Sequence, residues 1–516
     1  MAKDAKLAML AGLKIVEADH GLAEFGYVQR LDRSIGKFAS FAAGVSYISI
    51  LTGVFELFYF GYGIGGPAYA WSWPLVFVGQ LMVALCFMEL AAHYPVAGSV
   101  YNWAKALGER VVGWSAGWLM LTSSIVTLAA VTLALQLSLP KLWAGFQLVG
   151  SAENPVDRAE NAALLGVAAI ALTTAINMAG VRLMSFINSV GVAVELFAAV
   201  AIVVVLAANA VRGPSVFFST HGDGATESGG YLGGFLIASL ASGYVMYGFD
   251  TASSLGEETV NPRRTAPAAI FRAVLASFVI GGGILVFAIM AAPRLDDPLL
   301  GSPDGGLHYL VGQVLQGPLG KAFLCSVVLA VFVCALAVHT AGIRTAFAMA
   351  RDNALPFGEK LAVVHPRWGT PVVPALVIGV VAALILLVNI GQPQIFTVVT
   401  SIAVLMIYLA YLLVTAPMLV QRLRGQWPKQ QNRKKYFHMG RWGLVVNILA
   451  VLWGVGMAVN LAWPREEVYG ASWYNTWGAF LYIGVILGSG LVWLYGWGRR
   501  HIGVIAAHSE PKRVPA

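Results

Sequence analysis

Three carboxylates, Glu56, Glu195 and Asp250, fall well inside long apolar runs of this 516-residue sequence. An exposed charge at the middle of a bilayer costs about 2.5–3.5 kcal/mol on insertion scales, so acids placed there face a protein interior or are neutralised by a proton. Glu195, in INSVGVAVELFAAVAI, and Asp250, in SLASGYVMYGFDTAS, are therefore candidates to hold an exchangeable proton or cation. Each also has a plain reading: a structural hydrogen bond from Glu195 to a neighbouring helix, and a helix cap by Asp250. Glu56 stands one turn beyond a glycine-containing stretch, where it either attracts a cationic group or pairs with a buried hydroxyl.

A second set of charges, Glu89, Glu257, Glu258, Arg263, Arg264 and Arg344, joined by Arg351 and Asp352, gathers at the ends of apolar runs. Ion pairs near a surface contribute only about 1 kcal/mol, which suits contacts that break and re-form, so the set reads as a gate. The alternative is a solvated charge cluster marking helix ends. The nine histidines show no HxxxH or HExxH spacing, and GxxxxGK[ST] and GxSxG are both absent. A metal site, a nucleotide-driven pump and a serine hydrolase thus lack their ligands and nucleophiles, no cofactor is expected, and an enzyme is disfavoured.

The elements that must position these residues are apolar helices. The chain is 58% hydrophobic and 11% charged with a mean hydropathy of +0.74, too little polar surface for a soluble globule. Runs of about 20 residues without period-two alternation select a helix bundle over a barrel. Twelve such runs lie near 39–64, 70–91, 112–139, 161–179, 184–208, 231–255, 268–292, 320–349, 373–390, 394–420, 442–462 and 475–497. Of 33 Lys and Arg, all but Lys141, Arg158, Arg212, Arg294, Lys321 and Arg465 fall on the side of the termini, which places both termini in the cytoplasm. The net charge of +8 then reflects topology and contact with anionic lipid, not nucleic acid. Cys86, Cys325 and Cys334 lie inside the apolar runs and read as packing residues.

Two half-polar stretches bounded by Gly and Pro, PVAGSVYNWAKALGERVVGW after the second run and GSPDGGLHYLVGQVLQGPLGKAF after the seventh, are each expected to form a short helix along the bundle surface. Their five-helix offset makes the second half an inverted copy of the first. Segments then divide as 1–38 (an N-terminal cytoplasmic segment), 39–208 and 231–420 (the two five-helix repeats), 442–497 (two further helices) and 498–516 (a cytoplasmic tail). The corresponding first and sixth runs are both interrupted, by Gly53 among Ser46, Ser49 and Thr52, and by Gly243 and Gly248. Paired interruptions in lipid point to a polar ligand site: a half-helix starting near Val54 offers its positive end to a carboxylate, and stranded carbonyls hold an ammonium. Close helix packing through small residues is the competing reading.

The stretches MELAAHYPVAGSVYNWA, GFDTASSLGEETVNPRRTAP and GIRTAFAMARDNALP together resemble the amino acid, polyamine and organocation transporter superfamily, LeuT-like in fold, over roughly residues 20–500. The lead-in GYVQRLDRSIGKFASFA is most similar to the branch that carries amino acids, γ-aminobutyrate and choline. The resemblance implies a fold of 12 transmembrane helices: a 5+5 inverted repeat with broken helices 1 and 6, plus two C-terminal helices. It implies a substrate carboxylate at the amides of Thr52, Gly53 and Val54, and an amine at the carbonyls of Ser49, Tyr244, Val245 and Tyr247, beside Gly248. Leu51 stands where most members have the first glycine of Gly-x-Gly, and Glu195 aligns with a position where several relatives carry a lysine in place of sodium. Ser123, Ser124 and Tyr408 are candidates for the side-chain pocket. The expectation is a secondary active transporter in the cytoplasmic membrane, moving an amino acid or an amine derived from one, such as γ-aminobutyrate, together with a proton. A sodium-coupled symporter, an exchanger and a nutrient receptor that binds without translocating are the alternatives.

Overall fold

The computed structural model describes residues 22, 25–31, 33–220, 230–391, 395–428, 436–470 and 472–508, apart from the side chains of Ile395, Thr397 and Tyr474. Most of the expected 1–38 lead-in and the end of the 498–516 tail lie outside the described residues. Every apolar run read from the sequence carries a helix. In chain order these are α1 (Lys37–Ile48), α2 (Ile50–Gly65), α3 (Ser72–His93), α4 (Ser99–Leu107), α5 (Arg110–Leu133), α6 (Leu135–Leu142), α7 (Pro155–Met178), α8 (Val181–Ala208), α9 (Gly230–Gly243) and α10 (Thr251–Ser254). They continue with α11 (Pro262–Ala291), α12 (Gly306–Val314), α13 (Gly317–Arg351), α14 (Val372–Val388), α15 (Ile395–Leu423), α16 (Gly443–Ala462) and α17 (Gly478–Gly496). An isolated parallel β-bridge joins Ile35 and Thr259.

Among these residues, ten helical stretches are long and apolar enough to cross a membrane, counting α1 with α2 and α5 with α6; α9 and α14 are shorter apolar helices of 14 and 17 residues. The protein is thus an all-helical, multi-pass membrane protein. Local chemistry starts and stops the helices where expected: Pro155 and Pro262 occupy the first turns of α7 and α11, where a missing N–H costs nothing, and Asn154 caps α7 through its side chain.

Burial separates a centre from a rim. The most apolar windows of α1–α2 and α15 are each 78% buried, against 39% for α16 and 28% for α17. On the rim, Phe186, Phe197 and Val204 of α8 and Val380, Leu384 and Val388 of α14 project outward, the arrangement lipid rather than water favours. Cys86 and Cys334 are buried, but Cys325 is exposed, so packing does not account for it.

Of the two short helices, α4 differs from its expected surface position, whereas α12 buries one face and exposes Gly312 and Gln313 on the other, as a helix along the surface does. On α4, Ser99 to Ala104 are all buried, with Trp103 fully enclosed against Phe87, and α12 buries Gly306, Leu307, Leu310 and Val311. The buried α4 inserts among α5, α13 and α15.

Candidate functional site

The first apolar run breaks at Ser49, which adopts φ 43° and ψ 86° and separates α1 from α2. A left-handed conformation at a residue other than glycine costs about 1–3 kcal/mol, so the surrounding contacts must hold it. They do: Ser49 Oγ donates to Glu195 Oε1 at 3.2 Å, and the Leu51 amide donates to the same oxygen at 3.2 Å. The first amides of a helix have no partner inside it, and Glu195 of α8 caps one of them. The half-helix begins at Ile50, four residues earlier than the expected start near Val54, because the Gly53 amide already bonds the Ser49 carbonyl at 2.9 Å and Gly53 serves another purpose.

That purpose is contact with the second break. A Cβ on Gly53 would sit 2.7 Å from Val245, in the non-helical stretch that joins α9 to α10. Gly248 has φ +83°, and a Cβ there would sit 1.9 Å from the Tyr47 ring. Each glycine thus lets one interrupted helix press onto the other. Tyr47 and Tyr247 add an edge-to-face pair with centroids 5.9 Å apart.

Between the breaks lies a cavity of about 50 Å³ lined by Tyr47, Ser49, Thr52, Gly53, Glu56, Thr127, Tyr244, Tyr247, Cys334 and Thr400. Of the residues anticipated for substrate, Ser49, Thr52, Gly53, Tyr244 and Tyr247 come together here. Val54 and Val245 instead line a smaller void of about 10 Å³ beside Trp73, and the Val245 carbonyl takes the Tyr247 amide at 2.9 Å. Gly248 donates its amide to the Tyr411 hydroxyl at 3.0 Å. Ser123, Ser124 and Tyr408 do not line the cavity: the two serines bond the carbonyls of Ala403 and Met120, and Tyr408 accepts from Gln80 at 2.7 Å. Thr127, one turn beyond Ser123 and Ser124 on the same helix face, takes their place.

All three intramembrane acids are buried. Asp250 accepts from Tyr411 at 2.5 Å and from Ser99 at 3.2 Å, tying the second break to α15 and α4. It also precedes α10 without a side-chain capping bond, so the helix-cap reading does not describe it. On Glu195, Oε1 carries the bonds to the first break while Oε2 is buried without a hydrogen-bond partner. Such a carboxyl has room for a proton on the second oxygen.

A family model described as amino acid permease matches residues 35–487. The chain belongs to the amino acid permease family. It is 26% identical to the amino-acid permease BAT1 of Arabidopsis thaliana over 467 residues, covering 86% of this chain and 88% of that protein. It is 28% identical to a homolog of that permease from Oryza sativa subsp. japonica, covering 86% and 87%, and 27% identical to the methylthioribose transporter of Bacillus subtilis, covering 66% and 74%. The family and these relatives are permeases and transporters, not enzymes.

At one end of the bundle ion pairs gather. Arg344 of α13 binds Glu258 in bidentate fashion at 2.7 and 2.9 Å, and Arg351 lies 2.8 Å from Glu257, whose Oε1 also accepts the Ala97 amide at 2.9 Å. Glu89 bonds Arg422 and Trp427, and Lys105 meets Asp352 at 2.5 Å. These pairs are not the solvent-screened contacts expected from the sequence: Arg344, Glu258, Arg351 and Glu257 are each no more than 1% exposed. The reason is the inserted α4 and the N-terminal segment, which cover them; Tyr27 lies over the Arg351 guanidinium at 3.5 Å and donates to Asp352 at 2.8 Å. Arg263 instead holds the His93 carbonyl at 3.0 Å and stacks on Tyr436, and Arg264 is exposed at the start of α11. Sequence reasoning missed Lys105, Arg422, Tyr27 and Tyr411, which lie on elements far apart in the chain and carry no local signal of convergence.

Proposed function

We propose that this permease is a secondary active transporter that moves an amino acid, or an amine derived from one, across the cytoplasmic membrane by alternating access with a proton. The observation that carries this reading is the Glu195 carboxylate, bonded through one oxygen to the amide freed at the first helix break while the other oxygen has no partner. Protonation of that second oxygen would alter the grip on Ser49 and Leu51, so proton loading and the shape of the cavity are linked through a single side chain. Asp250 links the other break to the gate through Ser99 and Tyr411 and is a second relay candidate.

The reading extends to topology. Twelve spans in a LeuT-like 5+5 arrangement, with repeats at 39–208 and 231–420, two further helices at 442–497 and both termini in the cytoplasm, are supported by the interrupted helices and the matching nine-residue helices α4 and α12. Glu89, Glu257, Glu258, Arg263, Arg264 and Arg344 then belong to the cytoplasmic gate, and Ser49, Thr52, Gly53, Val54, Tyr244, Val245, Tyr247 and Gly248 to the substrate seat. The names of the relatives, amino-acid permeases and a methylthioribose transporter, support a small polar substrate.

The test is uptake by proteoliposomes of labelled amino acids, γ-aminobutyrate and choline under a pH gradient, with sodium exchanged for potassium. The proposal expects accumulation that follows the pH gradient and ignores sodium. Glu195→Gln should abolish that dependence while leaving exchange of substrate for substrate. Accumulation that follows sodium would establish the symport alternative, and binding without counterflow a receptor.

A further inference from the structure

The cavity contains one carboxyl group that neither the gate nor the proton site uses. Glu56 is 2% exposed, lines the cavity, and has no hydrogen-bond partner on either carboxylate oxygen. It lies seven residues after Ser49, and Thr52, Gly53 and Glu56 of α2 face the same space as Ser49 at its N-terminus. Seven residues of helix rise about 10 Å, and a helical side chain leans back toward the N-terminus, so the carboxylate approaches the break to within the length of an extended aliphatic side chain.

The neighbours of Glu56 do not satisfy it. His308 of α12 comes no closer than 3.9 Å, shares its Nε2 with Ser138 at 3.2 Å and packs edge-on against Phe55. Burial first, and Lys141 second, hold the His308 imidazole down to about 3, so at neutral pH it contributes no positive charge. Lys141, exposed at the end of α6, is the fixed cation whose charge reaches Glu56. A buried carboxylate with only distant compensation and two open oxygens is a site for a hydrogen-bonding cation.

We infer that Glu56 is a second recognition point in the cavity and takes a cationic group on the substrate's side chain, so that the favoured substrate is an amino acid bearing a second amine or a guanidinium. This rests on the transport reading above. In that pose Ser49 and Thr52, on the cavity wall at the first break, meet the substrate carboxylate and Glu56 meets the distal charge. A cavity of about 50 Å³ holds little more than a water or two, so the seat must widen along these residues as the substrate enters.

The experiment compares L-lysine and L-arginine with the near-isosteric neutral L-norleucine, using the full-length protein in two readouts: proteoliposome uptake, and thermal stabilisation of the purified protein. The expected result is a KM for lysine or arginine at least about tenfold below that for norleucine, with Glu56→Gln erasing the difference. Glu56→Asp, which keeps the charge and shortens the reach, should retain the preference in weakened form. An unchanged ratio in Glu56→Gln, or a wild-type protein that takes up norleucine as well as lysine, overturns the inference and leaves the transport reading standing. Selective stabilisation by lysine that depends on Glu56, without uptake of any compound, would keep the subsite and overturn transport; no selectivity in either readout overturns the subsite.

Discussion

The amide of Leu51, at the start of α2, donates to Glu195 Oε1 across 3.2 Å, so a carboxylate of one helix serves as the N-terminal cap of another. Ser49 shares the same oxygen. Substituting Glu195 by Leu would strand a buried amide, and leaving a buried donor unsatisfied costs about 1–3 kcal/mol. Glu195→Gln keeps an oxygen at that position and imitates the protonated acid, so it should stay within about 1 kcal/mol of the parent. Unfolding of the two variants in the same detergent measures the difference; equal stability of Leu and Gln would show that the capping bond is dispensable.

The gate prediction follows from burial. Removing Arg344 leaves Glu258 buried without its partner, a change that costs about 3–5 kcal/mol in other buried pairs. Arg344→Met should therefore destabilise strongly, and adding Glu258→Gln should recover part of the loss, with a coupling energy of about 1–3 kcal/mol. A double-mutant cycle on thermal or denaturant unfolding reads this directly. Additive losses would mean that the pair is solvated in the working protein.

The glycines at the breaks separate into contact and spacing. Gly248→Ala combines a left-handed backbone with a Cβ 1.9 Å from Tyr47, so the breaks would have to move apart; uptake should fall at least about tenfold. Gly488→Ala, where nothing lies within 4 Å, is the matched control and should leave uptake unchanged.

The C-terminal segment gives a pH prediction outside the membrane-spanning helices. Amides of Gly503 and Ile505 bond the carbonyls of Asp352 and Arg351, and the His508 carbonyl receives the Val28 amide, so residues 503–508 tie the end of α13 to the N-terminal segment. His508 is buried against Phe347 with Nε2 at the Ala362 carbonyl. Burial lowers its pKa from 6.5; the Ala362 bond and Glu257 oppose the shift, while Arg351 and Arg30 add to it. The docked form therefore binds fewer protons than the released form at pH values below 6.5, and the contact weakens as pH falls through that window. Hydrogen exchange at 503–508, corrected for intrinsic rate, should quicken between about pH 7.5 and pH 5.5 in the parent and lose that dependence in His508→Gln.

Much of this fold was legible in the sequence because lipid imposes one rule. An apolar run near 20 residues long must be helical, and its charges must sit at its ends or face inward. The interruptions were legible too, as glycine and hydroxyl residues within such runs. Their position was not. Gly53 draws attention, yet its lack of a side chain admits Val245, and the backbone turns at Ser49, whose conformation is set by Glu195 from 146 residues away. The gate charges were visible as a set, but their burial depends on α4 and Tyr27 folding over them, a tertiary fact that local spacing does not encode.

The central claim is that the two broken helices seat one substrate between them. Single-particle cryo-electron microscopy of the protein in lipid nanodiscs, saturated with the amino acid that uptake selects, tests it most directly. The account predicts ligand density between the amides beside Ser49 and the backbone of 244–247, with α1 and α2 separated at Ser49. Density elsewhere, or a helix running unbroken through Ser49, would contradict it.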